Sequence, residues 1–322
     1  MIDHAIIMAA RPNDELSALS TSRPKAMFPI MGMPTIGRVM DGYYKAGIRR
    51  FTVVVGEGEG GVIEWLFHQW HNDVQLSFAS VGHQLGTAAT LYATRDQIDG
   101  PVIVAPCDIL VPETHVRELA EYFDSHPADM AAVSVSQVDL GEAVPSASVI
   151  LDPRGHVMYA SEVPIEAHQG NVSTLPIYAL RENVVEFLDR VPVDERSGQR
   201  FAVKAVQAMI DEGAPVGTIE AEWALRIDTP QDLMDANLLC LTDIDTPQIL
   251  SELPHSVEII PPVHIDQNVR VGENVVLGPN VYLETESAIE ANCVLENTIV
   301  LGKRIAQGKT IRDQIVSKDL IK

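Results

Sequence analysis

The sequence predicts an α/β domain, a mostly parallel sheet with helices on both faces, followed by a short coil of parallel strands. Three observations carry this. Up to about residue 240, short β-branched runs alternate with amphipathic stretches at strand–helix spacing. From about residue 257, apolar residues recur every six positions, a period that suits neither an α-helix nor a flat sheet. Between the two textures lies Thr242–Pro262, punctuated by Pro247, Pro254, Pro261 and Pro262. The expected organisation is 1–241 for the α/β domain, 242–262 for a linker and 263–322 for the coil.

Taken in order, His4–Ala9, Phe51–Val55, Val74–Ala79 and Val102–Ala105 are short, β-branched and bounded by turn residues, so each reads as a buried strand. Ile36, Val39, Met40, Tyr43 and Tyr44 repeat at helical spacing before Gly47, and Val62–Trp70, Thr87–Arg95 and Glu113–Phe123 do likewise. Sheets of this kind take their ligands at the carboxyl ends of the strands.

In the C-terminal stretch one series runs Val257, Val263, Val269, Val275, Val281, Ser287, Cys293, Ile299, Ile305, Ile311. A second, two residues on, runs Ile259, Ile265, Val271, Leu277, Leu283, Ile289, Leu295, Leu301 and is aliphatic throughout. Asn268, Asn274, Asn280 and Asn292 precede members of the first series, where a left-handed turn residue would suit Asn. The stretch resembles the hexapeptide-repeat left-handed parallel β-helix; about 55 residues at roughly 18 per turn make about three coils.

Length and charge bound the function. A chain of 322 residues suggests two domains, and 46% hydrophobic against 21% charged residues describes a folded protein. The net charge of −22 repels phosphate backbones, which argues against nucleic acid as partner. Residues 251–322 carry seven basic and ten acidic side chains, so −19 of that charge lies upstream. No apolar run approaches 18 residues, so no membrane span is expected. Met1-Ile2-Asp3-His4 lacks a signal peptide's basic region, and Cys107, Cys240 and Cys293 form neither a disulfide framework nor a zinc pattern; a cytoplasmic protein is expected.

Two motifs are set aside. Gly56–Gly61 contains G-x-G-x-x-G, but Glu57 and Glu59 would face a pyrophosphate, so it reads as a Gly-rich turn. Glu64, His68 and His71 share a helix face at i, i+4, i+7, which without a fourth ligand reads as a polar surface.

Residues 5–36 read AIIMAARPNDELSALSTSRPKAMFPIMGMPTI. This resembles the opening of the sugar-1-phosphate nucleotidyltransferases: a strand, LAAGxGxRLxPLT, then RPKxMxPI and GxPxI. Further on, Gln84–Ala88 resembles that family's nucleobase loop, Pro106–Leu110 its metal-binding GDxL, Glu162–Pro164 its EKP, Thr174–Tyr178 its NxGIY and Trp223–Leu233 its WxxDIGTPEDL. Several members of the family carry a C-terminal left-handed β-helix.

The resemblance implies attack of a sugar 1-phosphate oxygen on the α-phosphorus of an NTP, with release of pyrophosphate. The nucleophile is already anionic, so the protein must hold two polyanions with backbone N–H groups, cations and Mg²⁺. Residue by residue, it implies Lys25 on the α-phosphate, Ala9 and Ala10 in the nucleotide loop, and Gln84, Gly86 and Thr87 at the base. Glu162 and Thr174 fall at the sugar, and Asp108 is the first Mg²⁺ carboxylate.

The departures fall on groups that handle phosphate and metal. Arg11 and Asn13 replace the loop glycines, and Glu15 replaces the arginine. A carboxylate about 4 Å from a phosphate costs on the order of 4 kcal/mol at an effective dielectric near 20. Val163 replaces the EKP lysine, Pro176 the NxGIY glycine and Thr174 its asparagine; Arg226 falls on the second metal aspartate and Asp228 on the following glycine. The expectation is a family member with impaired catalysis that binds a nucleotide, nucleotide sugar or sugar phosphate and regulates or scaffolds a partner. The alternative is an active transferase in which Arg11 and Asp228 rewire the phosphate and Mg²⁺ sites. Residues 257–311 are expected to help hold a homo-oligomer or a complex with an active paralogue. Acyl transfer by the coil is the weakest reading, with His264 as its one plausible base.

Overall fold

The computed structural model describes residues 2–10, 15–82, 86–136, 148–161, 171–242 and 246–318. The chain groups into two compact units, Met1–Pro12 with Ile36–Arg226, and Asn13–Thr35 with Ile227–Lys322. The division does not follow chain order: an N-terminal segment and the residues from Ile227 onward group with the C-terminal coil.

The first unit is built on strands β1 (His4–Ala9), β2 (Arg50–Gly56), β3 (Gln75–Val81), β4 (Val102–Pro106), β5 (Ile109–Leu110), β6 (Ala131–Ser136), β7 (Ser148–Leu151), β8 (Val157–Ser161), β9 (Asn171–Leu180), β10 (Val216–Ala221) and β11 (Leu225–Arg226). Among the described residues nine of them form one sheet, ordered β8-β7-β9-β4-β1-β2-β3, with β6 joining β9 to β10. Pairing is parallel for β1 with β2 and β4, β2 with β3, and β6 with β10. The strand β9 enters antiparallel to β4, β6 and β7, and β8 is antiparallel to β7.

The helices are α1 (Thr35–Lys45), α2 (Gly60–Gln69), α3 (Thr87–Tyr92), α4 (Glu113–Ser125), α5 (Val184–Arg190), α6 (Ala202–Asp211) and α7 (Pro230–Thr242). Ile6 and Met8 of β1 join a core with Leu91 of α3, Phe187 of α5 and Met209 of α6. Val133 and Val135 share that core, so the intervening Ser134 points to the opposite face. There its hydroxyl lies 2.9 Å from His115 Nε2 of α4, which fixes a helix on the second face.

Central strand β1 is buried throughout, as its β-branched run predicts. Strand β3 is not: it is the sheet edge, and Gln75 and Ser80 are exposed. An edge strand has one neighbour, and its polar residues blunt the open side. Helix α2 ends at Gln69, so His71 is not on its face; His71 stacks on Tyr44 at 3.8 Å and lies 3.3 Å from Asp41.

The second unit contains a coil of short parallel strands. Val263 pairs with Val281, Arg270 with Ala288 and Val276 with Val294, each eighteen residues on, with three strand segments per turn, the arrangement of a parallel β-helix. Val263, Ile265, Val275, Leu277, Leu283, Cys293 and Leu295 fill its interior. Asn268, Asn274, Asn280 and Asn292 all take positive φ, between 55° and 61°. Within the stretch read as a linker, Gln248–Ile249 and Glu258–Ile259 already pair with the coil.

The two apolar series slip in the last turn. Val281 pairs with Thr298 and Leu283 with Val300, seventeen residues on, and Ala288 pairs with Arg304, sixteen on. Val300 therefore points inward, and Ile299 takes the register of Tyr282. The slip begins at Asn297, φ 45°, whose side chain bonds Asn280 at 2.8 Å and Asp313 at 2.9 Å in a corner ladder.

No helix among the described residues is long and apolar enough to cross a membrane.

Candidate functional site

In the first unit, the strand ends bring several expected residues together. Met8 pairs with Pro106, so Ala9 and Ala10 leave β1 beside Cys107 and Asp108 leaving β4. Cys107 N donates to Met8 O at 3.1 Å and closes this corner. Ala9 is buried and Asp108 is 1% exposed. The next strand end is the Gly-rich turn, where Gly56 N donates to Glu59 Oε2 at 2.9 Å. That carboxylate is folded over its own loop, so the turn is not a phosphate cradle.

Asp108 is followed by β5, which pairs antiparallel with β11: Ile109 faces Arg226 and Leu110 faces Leu225. Arg226 thus stands in the ladder next to Asp108, at the position where the resemblance implies a second metal carboxylate. Among the described residues no group of three or more His, Cys, Asp or Glu side chains is placed to hold a metal ion. Asp108 and Asp228 belong to different compact units. With an arginine in place of the second aspartate, the donor chemistry of the first unit does not fit a two-carboxylate Mg²⁺ site.

Gly86 and Thr87, expected at the base, have firm local partners. Gly86 has φ 82°, and a Cβ there would lie 2.3 Å from Arg200 O and 2.7 Å from Arg200 N. Ala88 N donates to Arg200 O at 2.9 Å, and Ala202 N donates to Thr87 Oγ1 at 2.8 Å. The Thr87 hydroxyl thereby satisfies one of the first N–H groups of α6. Thr174 on β9 pairs with Val135, just before a register shift, and is 4% exposed. Its hydroxyl has no hydrogen-bond partner among the described residues.

In the second unit, Glu15 is exposed ahead of the short helical turn Leu16–Ala18. Lys25 opens the turn Lys25–Met27 and is 6% exposed. Its Nζ is ion-paired with Asp228 Oδ1. Asp228 is placed by the entry to α7: Asp228 N and Thr229 N donate to Asp232 Oδ2 at 3.0 and 2.8 Å, and Asp232 N donates back to Thr229 Oγ1 at 3.1 Å. This reciprocal Thr229–Asp232 capping box is visible in the sequence as T-x-x-D. Asp228, expected as a metal carboxylate, is here the partner of the expected phosphate lysine.

His264 is not isolated. It is buried, its Nε2 is 2.9 Å from Asp266 Oδ1, and Tyr282 OH donates to Asp266 Oδ2 at 2.9 Å. A Cβ on Gly32 would lie 3.2 Å from His264 Nε2, so the ring is roofed by backbone. It is unsuited to be the base of an acyl transfer. Arg11, Gln84 and Glu162, expected in the phosphate loop, at the base and at the sugar, lie outside the described residues.

Residues 4–242 match the family model described as nucleotidyl transferase. The chain belongs to the nucleotidyl transferase family. Curated relatives include the bifunctional protein GlmU of Methanocaldococcus jannaschii, 24% identical over 242 residues, 75% of this chain and 55% of that protein. The UTP–glucose-1-phosphate uridylyltransferase AglF of Haloferax volcanii is 24% identical over 233 residues, 72% of this chain and 94% of that one. The chain therefore spans little more than half the length of the bifunctional relative. Among solved structures, a UDP-glucose pyrophosphorylase complexed with UDP-glucose superimposes with TM-score 0.66 at 14% identity, over 76% of this chain and 100% of that one. That likeness is one of fold.

Proposed function

We propose that this member of the family binds a nucleotide, nucleotide sugar or sugar phosphate, and that its own nucleotidyl transfer is impaired. The observation that carries the reading is the Lys25–Asp228 ion pair. The lysine that the resemblance assigns to the α-phosphate is neutralised by a carboxylate at a position where the resemblance implies glycine. A phosphate must displace that carboxylate, at a net cost of about 2 kcal/mol for a charge-assisted hydrogen bond. Each 1.36 kcal/mol that persists into the transition state slows transfer about tenfold. Arg226 in the ladder beside Asp108 supports the same reading, because it puts a fixed cation where the reaction calls for a metal carboxylate. The buried Thr174 hydroxyl, unpartnered among the described residues, supports a polar ligand at the sugar position.

Ala9, Ala10, Gly86 and Thr87 line the nucleotide side in this reading. Glu15, where the resemblance implies arginine, adds a second negative charge to the phosphate side. The reading includes assembly, through the coil, with a second copy or an active paralogue.

The test is a pyrophosphate-release assay with the four NTPs and a panel of sugar 1-phosphates, run beside a thermal-shift screen of the same compounds and their NDP-sugars. The names of the relatives put UTP and glucose 1-phosphate first in both panels, and UDP-glucose first among the NDP-sugars. Release at background with a clear shift from one nucleotide or sugar ligand is expected; a ligand at 100-fold its Kd adds about 2.7 kcal/mol. Brisk turnover would establish a working, rewired transferase instead.

A further inference from the structure

The segment carrying Lys25 has little regular structure of its own. Between Leu19 and Pro34 it holds one short turn, Lys25–Met27, and a tight hairpin, Pro29–Ile30 with Met33–Pro34. Such a segment cannot fix a flexible lysine without help, since freezing that side chain costs up to about 2 kcal/mol in rotamer entropy. The help comes from residues 200–300 positions downstream, within the same compact unit.

Ahead of Lys25, Ser317 Oγ donates to Leu19 O at 2.5 Å. Two residues before Lys25, Arg23 is ion-paired with Glu284, its Nη2 donating to Oε2 at 3.2 Å and its Nη1 2.8 Å from Oε1, and it packs over the Phe28 ring at 5.5 Å. Behind Lys25, Asn237 of α7 donates to Pro29 O at 3.1 Å and accepts from Met31 N at 2.9 Å. Gly32, φ 75°, lies so close over Asp266 that a Cβ would be 2.6 Å from its Oδ1. Glu284 and Asp266 both belong to the coil, on either side of Tyr282. Glu284 is 9% exposed, and burial raises its pKa against the opposing pull of Arg23. A half-buried arginine–carboxylate pair with one charge-assisted hydrogen bond fixes position as well as charge.

We propose that the coil is the template that sets Lys25 in place for a phosphate ligand, with Glu284 as a positioning residue acting through Arg23. The inference rests on the ligand class proposed above. It gives the coil a task at Lys25 that its apolar repeat does not announce.

The test uses the full chain and inorganic pyrophosphate as probe. Glu284→Gln, Lys25→Ala and the double variant are compared by titration calorimetry, and amide hydrogen exchange is read over residues 19–34. Glu284→Gln should raise the pyrophosphate Kd about tenfold, and that loss should vanish in the Lys25→Ala background. Exchange over 23–32 should quicken while the strands Val263–Ile265 and Val281–Leu283 keep wild-type protection. Arg23→Lys, which keeps the charge but loses the planar guanidinium, should show the same pattern. An equal loss in both backgrounds, or unchanged exchange over 23–32 in Glu284→Gln, overturns the proposal. Should wild type bind no pyrophosphate, the functional reading fails, and the exchange data alone decide whether Glu284 holds the segment.

Discussion

Asp228 meets Lys25 across 203 residues of sequence, and the two form an ion pair in which the lysine is 6% and the aspartate 22% exposed. The lysine's conformation is thereby set in advance of any ligand, and its charge is spent on a neighbour. In the function proposed above, Asp228 competes with phosphate for Lys25.

Removing the competitor should tighten anion binding. Asp228→Asn keeps the shape and the backbone hydrogen bond to Asp232 while deleting the charge. The pyrophosphate Kd should fall about tenfold at low salt, equivalent to about 1.4 kcal/mol. The gain should shrink as ionic strength rises. An unchanged Kd by calorimetry would mean that Lys25 does not face the ligand.

The turn at Gly86 and Thr87 should be intolerant for structural reasons. Gly86→Ala places a methyl group against the Arg200 backbone and demands positive φ of a side-chain-bearing residue. A loss of about 2–4 kcal/mol is expected from urea unfolding, since neither backbone can yield freely. Thr87→Val should lose about 1 kcal/mol, because Ala202 N–H is left without its acceptor. A neutral Gly86→Ala would show that Arg200 moves aside.

Much of this fold was legible in the sequence because its signals are local. Strand β1 and helix α4 follow from periodicity, and the positive φ of Asn268, Asn274, Asn280 and Asn292 follows from their place in the repeat. The slip at Asn297 was also written there: it follows Asn292 by five positions, where Asn268, Asn274 and Asn280 follow one another by six. The site was less legible, because its decisive contacts are long-range. Nothing near Lys25 says that Asp228 will reach it, and nothing near Gly86 announces the Arg200 backbone. Arg23 and Glu284 look like ordinary charges until the coil brings them together.

Two buried histidines should give the fold an acid limit. Burial lowers the pKa of His115 to about 4, and burial, with the nearby Arg50 charge, lowers that of His4 to about 4. Both are therefore neutral in the folded state and titrate near 6.5 when unfolded. Their contribution is complete above pH 6.5 and is lost as pH falls towards 4, because there the unfolded chain binds more protons. Each should add up to about 1.4 kcal/mol per pH unit to the slope of unfolding free energy in that window. His115→Gln should flatten the slope by one such increment, measured by urea unfolding between pH 7.5 and 5. An unaltered slope would place the His115 proton on the folded protein.

If Arg226 and Asp228 have replaced a metal site by fixed charges, anion binding in wild type should be indifferent to Mg²⁺. Pyrophosphate titrations with 5 mM Mg²⁺ and with a chelator should then give Kd values within about twofold, after correction for Mg²⁺ bound to pyrophosphate itself, since the Arg226 cation opposes a divalent ion beside Asp108. The double variant Arg226→Asp, Asp228→Gly restores the residue types that the resemblance implies at both positions. It deletes the cation in the ladder beside Ile109 and the Asp228 carboxylate on Lys25 in one step. Its affinity should become Mg²⁺-dependent by tenfold or more, and Mg²⁺ with pyrophosphate should raise its melting temperature more than either alone. Asp108→Ala in that background should abolish the dependence, whereas in wild type it should leave pyrophosphate binding nearly unchanged. Strong Mg²⁺ dependence in the wild-type chain, lost on Asp228→Asn, would reverse the argument: Asp228 would then leave Lys25 to serve the metal, and the chain would be the rewired transferase.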